Sequence, residues 1–290
     1  MAPLSGPRAT DDGLHAELAD LAVAAARGAA ELVRSRLKPN SVGTKSSSTD
    51  LVTEVDRAAE QQIISLLRRR RPNDAIVGEE SGVHSGTDDA PVRWVVDPID
   101  GTVNFVLGLP LFSVSVAAEV DGVAVAGCVV DVVRDEVFSA RRGHGSFVGV
   151  GSAARRLTGP RSVGLSAAVV ATGFSYDAAV RARQGAVLAG VLGQIGNLRR
   201  LGSAALDLCY LADGRLDAYY ESGTREWDRA AGVLIATEAG VRVGGVAGST
   251  LHECVLAARP DLYEPLAALL ADAGAATVLS GVDEVGRVDG

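Results

Sequence analysis

Apolar residues near the start of the chain recur every three or four positions, which predicts two amphipathic helices. The first is capped by Asp11 or Asp12 and stops before Pro39, and the second runs from about Thr53 to Arg70. One face of the first helix is apolar and comprises Leu14, Leu18, Leu21, Ala25, Leu32 and Val33. Arginines at the end of the second helix complement its dipole and are not interpreted as a nucleic-acid patch.

The pattern then changes to short apolar runs, which predict strands. The pair Asp121-Gly122 between two of these runs is a strong hairpin signal. Together the runs predict an antiparallel N-terminal sheet. They lie at residues 75–77, 94–96, 111–120, 123–130, 136–140 and 146–150.

From about residue 165 onwards strands and helices alternate, which predicts a second, mixed sheet with helices packed on it. Strands are predicted at residues 168–172, 198–201, 216–220 and 255–258, and helices at 177–192, 203–212, 228–239 and 263–273. We therefore predict an α/β (α+β) protein of two lobes. The N-terminal lobe comprises residues 13–155 and the C-terminal lobe residues 156–279, with flexible tails at 1–12 and 280–290.

Composition narrows the class of partner. The 290-residue chain carries 36 acidic and 28 basic side chains, a formal net charge of -8. This excess of negative charge argues against nucleic acid or an anionic membrane surface as the main partner. For the same reason, a bound phosphate would need a local positive charge, for example from a metal ion. The three cysteines are scattered among apolar residues, which indicates reduced core thiols. With no signal peptide and no apolar run of membrane-spanning length, we expect a cytoplasmic protein.

The stretch DPIDGTVNF carries the strongest indication of a functional site. A short buried strand is predicted to end at Asp97 because Pro98 cannot donate to a sheet, and Asp97 and Asp100 then share one tight turn. Gly101 lets the backbone approach a ligand closely, and Thr102 adds a hydroxyl. This combination suits a hard cation that is itself bound to an anion. From this stretch alone, an Asp-rich turn stabilised by its own hydrogen bonds is an equal alternative.

Four further segments supply candidate site residues. They are Lys45 and Asp56 in KSSSTDLVTEVD, Glu79 in GEES, Gly202, Ser203 and Ala204 in GSAALD, and Glu221 and Asp228 in YESGTREWD. Each has an ordinary structural explanation when taken singly. Ser203 is a suitable helix N-cap, Asp228 complements a helix dipole, and Lys45 is a solvated loop cation.

Taken together, these segments resemble the inositol monophosphatase family. Its first signature, DPIDGT-x-NF, is matched from Asp97 to Phe105, and its second, W-D-x-A-A-G followed by I and E-A-G, from Trp227 to Gly240. The segments KSS…D-LVT…D and GEES also match, and the resemblance covers roughly residues 14–273. The departures from the family pattern are mild. One of them is Ser203, which stands where many family members have Thr. The resemblance implies a layered αβαβα sandwich of the inositol monophosphatase/fructose-1,6-bisphosphatase type.

The resemblance also implies two to three Mg²⁺ ions, which prefer oxygen ligands at ~2.1 Å. One ion would lie between Glu79, Asp97 and the carbonyl of Ile99, and a second among Asp97, Asp100 and Asp228. A third, weaker ion would use Glu79 through water. Two ions ~3.5–4 Å apart would hold the attacking and leaving oxygens of an in-line displacement.

Catalytic roles follow from the same resemblance. A water activated by the ions would attack the phosphorus atom, and Thr102, bonded to Asp56, would orient and deprotonate it with help from Glu79. Lys45 would offset the charge of the acids. The substrate contacts that the resemblance implies are Asp100, Gly101, Thr102, Gly202, Ser203, Ala204, Glu221 and Asp228.

These roles imply a Mg²⁺-dependent, lithium-sensitive phosphomonoesterase that hydrolyses inositol 1-phosphate, acting as a cytoplasmic homodimer. Glu221 favours inositol because the family places such a residue against ring hydroxyls. Histidinol phosphate, fructose 1,6-bisphosphate and 3′-phosphoadenosine 5′-phosphate remain alternative substrates of the same fold. A regulatory binding protein that keeps its site as a relic is a further alternative.

Overall fold

The predicted outer helices form the first layer of the molecule. The computed structural model describes residues 9–37, 41–45, 51–87, 90–246, 249–251 and 253–275. Helix α1 (Ala9–Ser35) packs beside helix α2 (Glu54–Arg70). The predicted cap of α1 at Asp11 or Asp12 is wrong, since the helix begins at Ala9. Asp12 instead bonds His144, 2.7 Å from the ring Nε2.

The second layer is an eight-stranded sheet in the order β10-β9-β8-β7-β6-β5-β3-β4. All its neighbouring strands are antiparallel except β3 and β5, which are parallel. Asp121 and Gly122 form the predicted hairpin, with φ of 52° and 72°. The strands are β3 (Ala75–Gly78), β4 (Gly82–His84), β5 (Val92–Asp100), β6 (Ser113–Val120), β7 (Val123–Asp131), β8 (Glu136–Arg141), β9 (Gly145–Val148) and β10 (Arg155–Arg156). A separate pair, β1 (Val42–Thr44) and β2 (Leu51–Thr53), precedes α2.

Strand β5 differs from its prediction. It does not end at Asp97 but continues through Pro98 to Asp100. Asp97 pairs with Ser115 and Asp100 with Ser113, so the register shifts between the two acids. The proline falls in this bulge, where a missing backbone N–H removes no regular ladder bond. The two acids are therefore separated by a bulged strand and not by the tight turn that we expected.

The remaining layers come from the second half of the chain. Helices α5 (Ala204–Ala212) and α6 (Glu226–Glu238) lie between the two sheets, and the short helix α3 (Thr102–Leu107) follows β5. The second sheet has the order β12-β11-β13-β15-β14, and α4 (Ala178–Val191) and α7 (Pro260–Asp272) cover it. Its strands are β11 (Val169–Thr172), β12 (Asn197–Arg199), β13 (Ala218–Ser222), β14 (Arg242–Gly244) and β15 (Cys254–Ala258). Strand β11 runs parallel to β12 and β13, and β15 runs antiparallel to β13 and β14, so the sheet is mixed as predicted.

Alternation along the strands separates three apolar cores. Trp94 and Val96 of β5 face α1 and α2, whereas Val95 between them faces α5 and α6. In the second sheet Ala171 faces the middle helices and Val170 faces α4 and α7. The first core lies between the outer helices and the first sheet, the second surrounds the middle helices between the two sheets, and the third lies between the second sheet and the helices α4 and α7. The five layers confirm the αβαβα arrangement. Within the described residues, none of the helices is both long enough and apolar enough to cross a bilayer.

The division into lobes at residues 155 and 156 stays a prediction. The strands of the first sheet all lie within residues 75–156 and those of the second within 169–258. Helix α6 nevertheless packs closely on the first sheet, where an added Cβ on Gly127 would lie 3.1 Å from the Cα of Ala231. Most of the two predicted tails, residues 1–8 and 280–290, lies outside the described residues.

Candidate active site

The bulged end of β5 places two acids at the junction of the layers. Asp97 is 1% exposed and Asp100 is 8% exposed. Oδ1 of Asp97 accepts a hydrogen bond from the backbone N–H of Ile99 at 3.0 Å. Gly101 then adopts φ 98°, a left-handed conformation that glycine adopts readily, and α3 begins at Thr102. This conformation ends the strand and allows the helix to begin directly after it.

Helix α2 supplies the partner of Thr102. The Oγ1 atom of Thr102 lies 3.0 Å from Oδ1 of Asp56 and 3.0 Å from the carbonyl oxygen of Ile99. Asp56 is fully buried and also accepts hydrogen bonds from the hydroxyl and the N–H of Thr53, which form a capping box at the start of α2. Three local donors therefore fix the Asp56 carboxylate, and the expected contact between Thr102 and Asp56 is present.

Lys45 lies against two carboxylates. Its Nζ atom is 2.7 Å from Glu79 and 2.6 Å from Glu80. Burial would lower the pKa of Lys45, but the two acids raise it above its usual range, so the ammonium stays charged. Burial raises the pKa of Glu80 to about 7 although Lys45 opposes the shift. The sequence analysis did not assign Glu80 a role, and its signal was the second acid of GEES.

Helix α5 begins against Asp100. The Oδ2 atom of Asp100 accepts a hydrogen bond from the Ser203 hydroxyl at 2.6 Å and another from the N–H of Ala205 at 2.7 Å. Ser203 is also the N-cap of α5, accepting from the N–H of Leu206. The interpretation of Ser203 as a cap is therefore confirmed, and its role as a site residue stays a prediction.

Backbone contacts hold the start of α5 against α3. An added Cβ on Gly101 would lie 3.0 Å from the carbonyl oxygen of Gly202. The side-chain amide of Asn104, which the sequence analysis left without a role, donates to the carbonyl oxygens of Leu111 at 2.6 Å and Leu201 at 2.7 Å. These contacts place Gly202, Ser203 and Ala204 beside the DPIDGT segment.

Glu221 and Asp228 reach the same junction from the second sheet and from α6. Oε2 of Glu221 accepts a hydrogen bond from the Tyr219 hydroxyl at 3.0 Å. Asp228 is the third residue of α6 and accepts a hydrogen bond from the N–H of Arg225 at 2.6 Å. Both residues remain partly exposed.

The acids act on one another electrostatically. Burial, and then the charges of Glu79, Asp100 and Asp228, raise the pKa of Asp97 well above its usual range. Burial raises the pKa of Asp100 to about 7, and burial followed by the charges of Asp100 and Glu79 raises that of Asp228 to about 8. Burial, opposed by the hydrogen bond from Tyr219, raises the pKa of Glu221 to about 7. The site therefore holds more negative charge than its protein cations compensate.

The donor set fits a hard divalent cation. Carboxylates and a backbone carbonyl are the oxygen ligands that Mg²⁺ uses, and a cation would offset the burial and the mutual repulsion that raise these pKa values. Among the described residues, however, no group of three or more His, Cys, Asp or Glu side chains already surrounds one point as a ligand shell. Asp100 and Asp228 instead accept hydrogen bonds from neighbouring donors. The fit thus rests on residue type, proximity and charge.

Helix α5 also carries a buried acid that the sequence analysis missed. Asp207 is 1% exposed, and neither of its carboxylate oxygens has a hydrogen-bond partner among the described residues. Burial, and then the charges of Glu221 and Asp100, raise its pKa well above the usual range. An acid in the otherwise apolar run AALDLCYLA was the signal for it.

Three comparisons identify similar proteins. The sequence model of the inositol monophosphatase family matches residues 14–275. The chain is 46% identical over 240 residues to inositol-1-monophosphatase SuhB of Mycobacterium tuberculosis, covering 79% of this chain and 81% of that protein. It is 42% identical over 231 residues to Nus factor SuhB of Salmonella typhimurium, covering 79% and 85%. A crystal structure of extragenic suppressor protein suhB from Bartonella henselae matches with a TM-score of 0.81 and 33% identity, covering 88% of this chain and 98% of that one.

Proposed function

Because the chain belongs to the inositol monophosphatase family, we propose that it is a Mg²⁺-dependent phosphomonoesterase whose substrate is inositol 1-phosphate. The observations that support this most directly are the mutual electrostatic effect of Asp97, Asp100 and Asp228 and the hydrogen bond between Thr102 and Asp56. A cluster of acids attracts cations, and an adjacent anchored hydroxyl can hold a water molecule.

The carboxylates would hold two to three Mg²⁺ ions. Glu79, Asp97 and the Ile99 carbonyl would hold one, and Asp97, Asp100 and Asp228 a second. When bound, these ions neutralise phosphate charge and lower the pKa of water, which is the chemistry that phosphomonoester hydrolysis requires.

The protein's own groups would position the reactants. Thr102 would accept a proton from the attacking water and pass its own hydroxyl proton to Asp56, which lies 3.0 Å away. Glu79 would assist as a second acceptor, held in place by Lys45. The N–H groups of Gly101 and Thr102 would bind phosphate oxygens at the start of α3, since backbone donors at such a position favour anions.

Recognition of the alcohol would fall to the second sheet and α5. Glu221 would accept hydrogen bonds from ring hydroxyls, while Gly202, Ser203 and Ala204 would line the same side. A carboxylate that is left unpaired by the wrong substrate discriminates strongly, which favours a polyol phosphate over a hydroxyl-poor ester.

The test is metal-dependent release of phosphate by the purified protein. Inositol 1-phosphate, histidinol phosphate, fructose 1,6-bisphosphate, 3′-phosphoadenosine 5′-phosphate and p-nitrophenyl phosphate would be ranked by kcat/KM with Mg²⁺ and with EDTA. We expect inositol 1-phosphate to rank first and all turnover to stop in EDTA. A different first substrate would replace inositol within the same reaction class, and no Mg²⁺-dependent release from any ester would reject the enzyme.

The match to Nus factor SuhB supports a second candidate, a regulatory binding role. The retained acids favour catalysis, but binding and catalysis can coexist in one chain. The phosphate-release assay distinguishes them, because a purely regulatory protein would give no Mg²⁺-dependent turnover.

We also propose that the protein is a homodimer, that it is cytoplasmic and that lithium inhibits it. Light scattering tests the first proposal, cell fractionation the second, and assays with tens of millimolar Li⁺ the third.

A further inference from the structure

The carboxylate of Glu221 lies directly over the Cα atom of Gly173. If a Cβ atom is built on Gly173, its three closest neighbours are the carboxyl carbon and both oxygens of Glu221, and all three overlap it. Gly173 is not among the glycines with positive φ, so alanine is compatible with its backbone conformation. The glycine is therefore required here for space and not for backbone freedom.

Strand register explains this contact. Strands β11 and β13 are parallel neighbours in which Ala171 pairs with Tyr219 and Thr172 with Tyr220. Gly173 directly follows β11, and Glu221 is the next residue of β13. By the alternation of the strands, both lie on the face on which Ala171 and Tyr219 pack against the middle helices. A side chain at position 173 would occupy the place of the Glu221 carboxylate.

One hydrogen bond and several neighbouring charges also act on this carboxylate. The Tyr219 hydroxyl donates to its Oε2 atom at 3.0 Å. After burial, the charge of Glu221 is the largest contribution that raises the pKa of Asp207 on α5, and the charge of Asp228 acts in the same direction on Glu221. The charge of Arg200 favours its ionised form. The side of the glycine is open only because that residue has no side chain.

We propose that Gly173 is a specificity-determining position, which leaves the space that Glu221 needs in order to present its carboxylate to the hydroxyls of a polyol phosphate. The inference rests on the proposed function for the reaction, but it concerns only which alcohol is preferred. The three atoms nearest to an added Cβ on Gly173 all belong to Glu221, so we expect its main effect on substrates that use Glu221.

The experiment compares Gly173→Ala with wild type on inositol 1-phosphate and on p-nitrophenyl phosphate. We expect kcat/KM for inositol 1-phosphate to fall about ten- to a hundredfold, the value of a charge-assisted hydrogen bond, and that for p-nitrophenyl phosphate to change less than about twofold. Gly185→Ala is the matched control, because Gly185 lies in α4 and an added Cβ there would have no atom within 4 Å. This variant should leave kcat/KM unchanged for both substrates.

A double variant separates displacement of Glu221 from general damage. In a Glu221→Ala background the carboxylate is absent, so Gly173→Ala should cause no further loss. Equal losses on both esters, unchanged turnover of inositol 1-phosphate, or a further loss in the double variant would each overturn the inference. If wild type hydrolyses neither ester, the proposed function fails. A crystal structure of Gly173→Ala then decides the inference separately, since a Glu221 carboxylate in its original place overturns it and a displaced one supports it.

Discussion

The two sheets bring their acids to the site in different ways. On the first sheet Asp97, Asp100 and Thr102 come from one bulged strand and the residues that directly follow it. On the second sheet Glu221 is positioned by Gly173 of the neighbouring segment and by Tyr219, two residues earlier. A short continuous segment fixes the distance between two of the proposed cation ligands, Asp97 and Asp100, whereas Asp228 is added from α6. Recognition of an alcohol needs one well-placed carboxylate, which distant segments can position together.

The largest expected effect comes from substituting the acids of the proposed cation site. Asp100→Asn and Asp228→Asn should each lower kcat/KM on every ester by on the order of 10²–10³ or more, because each removes charge that no other protein anion replaces. Both substituted side chains can still accept their present hydrogen bonds from Ser203 and Arg225. We therefore expect folding to persist, as measured by circular dichroism and thermal unfolding.

The thermal unfolding of these variants provides an internal check. Without metal the variants should unfold at the same temperature as wild type or higher, since each removes one charge from a repelling cluster. With Mg²⁺ wild type should gain more stability than either variant. Near-wild-type turnover at millimolar Mg²⁺ would contradict the assignment of the second ion.

A smaller loss is expected when the hydroxyl beside the acids is removed. Thr102→Val keeps the shape of the side chain but cannot bond Asp56, and should lower kcat by about a hundredfold on both ester types, the lower end for positioned proton transfer. Thr102→Ser keeps the hydroxyl and should retain most activity. Equal activities of the Val and Ser variants would show that the hydroxyl has no part in the reaction.

Substitution of Glu221 should lower the turnover of one substrate only. Glu221→Gln should lower kcat/KM for inositol 1-phosphate by about ten- to a hundredfold and leave p-nitrophenyl phosphate nearly unchanged, because the acids of β5 and Thr102 remain. Asp100→Asn, which should affect both esters, is the matched comparison. Equal losses on both esters in Glu221→Gln would show that Glu221 is a structural strand-end acid and would remove the main argument for inositol.

The same contrast explains how much could be predicted from sequence. Periodicity predicts the longer helices and strands, whereas the five-layer fold and the residues of the β5 segment follow from the family resemblance and its continuous signature, whose members are adjacent in the chain. The path of β5 through Pro98 could not be predicted, because only pairing with β6 shows that the proline falls in a bulge. The short strands β1, β2, β4, β10 and β14 were also missed, since segments of two or three residues show no clear alternation.

The neighbours of Glu221 could not be predicted for a related reason. Gly173 and Asp207 gain their significance from the register of β11 against β13 and from the placement of α5, neither of which appears in local sequence. A glycine after a strand and an acid in an apolar helix have many ordinary explanations.

The smallest expected effect concerns stability and not turnover. The pKa of Asp207 is raised well above its usual range in the folded protein by burial. Below its unfolded pKa of about 3.9 the carboxyl is protonated in both states, so ionisation does not affect folding. As pH rises towards the folded pKa, the unfolded chain releases the proton and the folded chain retains it. This difference destabilises the protein by up to about 1.4 kcal/mol per pH unit.

Asp207→Asn removes this ionisation and should therefore change the pH dependence of folding. Relative to wild type, its free energy of unfolding should be higher at pH 8 than at pH 5, by at most about 1.4 kcal/mol for each pH unit, as measured by urea titration in EDTA. The amide carries its own cost of burial, but that cost is the same at both pH values. Asp20→Asn, at an exposed position of α1, is the control and should show no such dependence. An identical difference between Asp207→Asn and wild type at both pH values would show that Asp207 is ionised in the folded protein, with a partner that balances its charge.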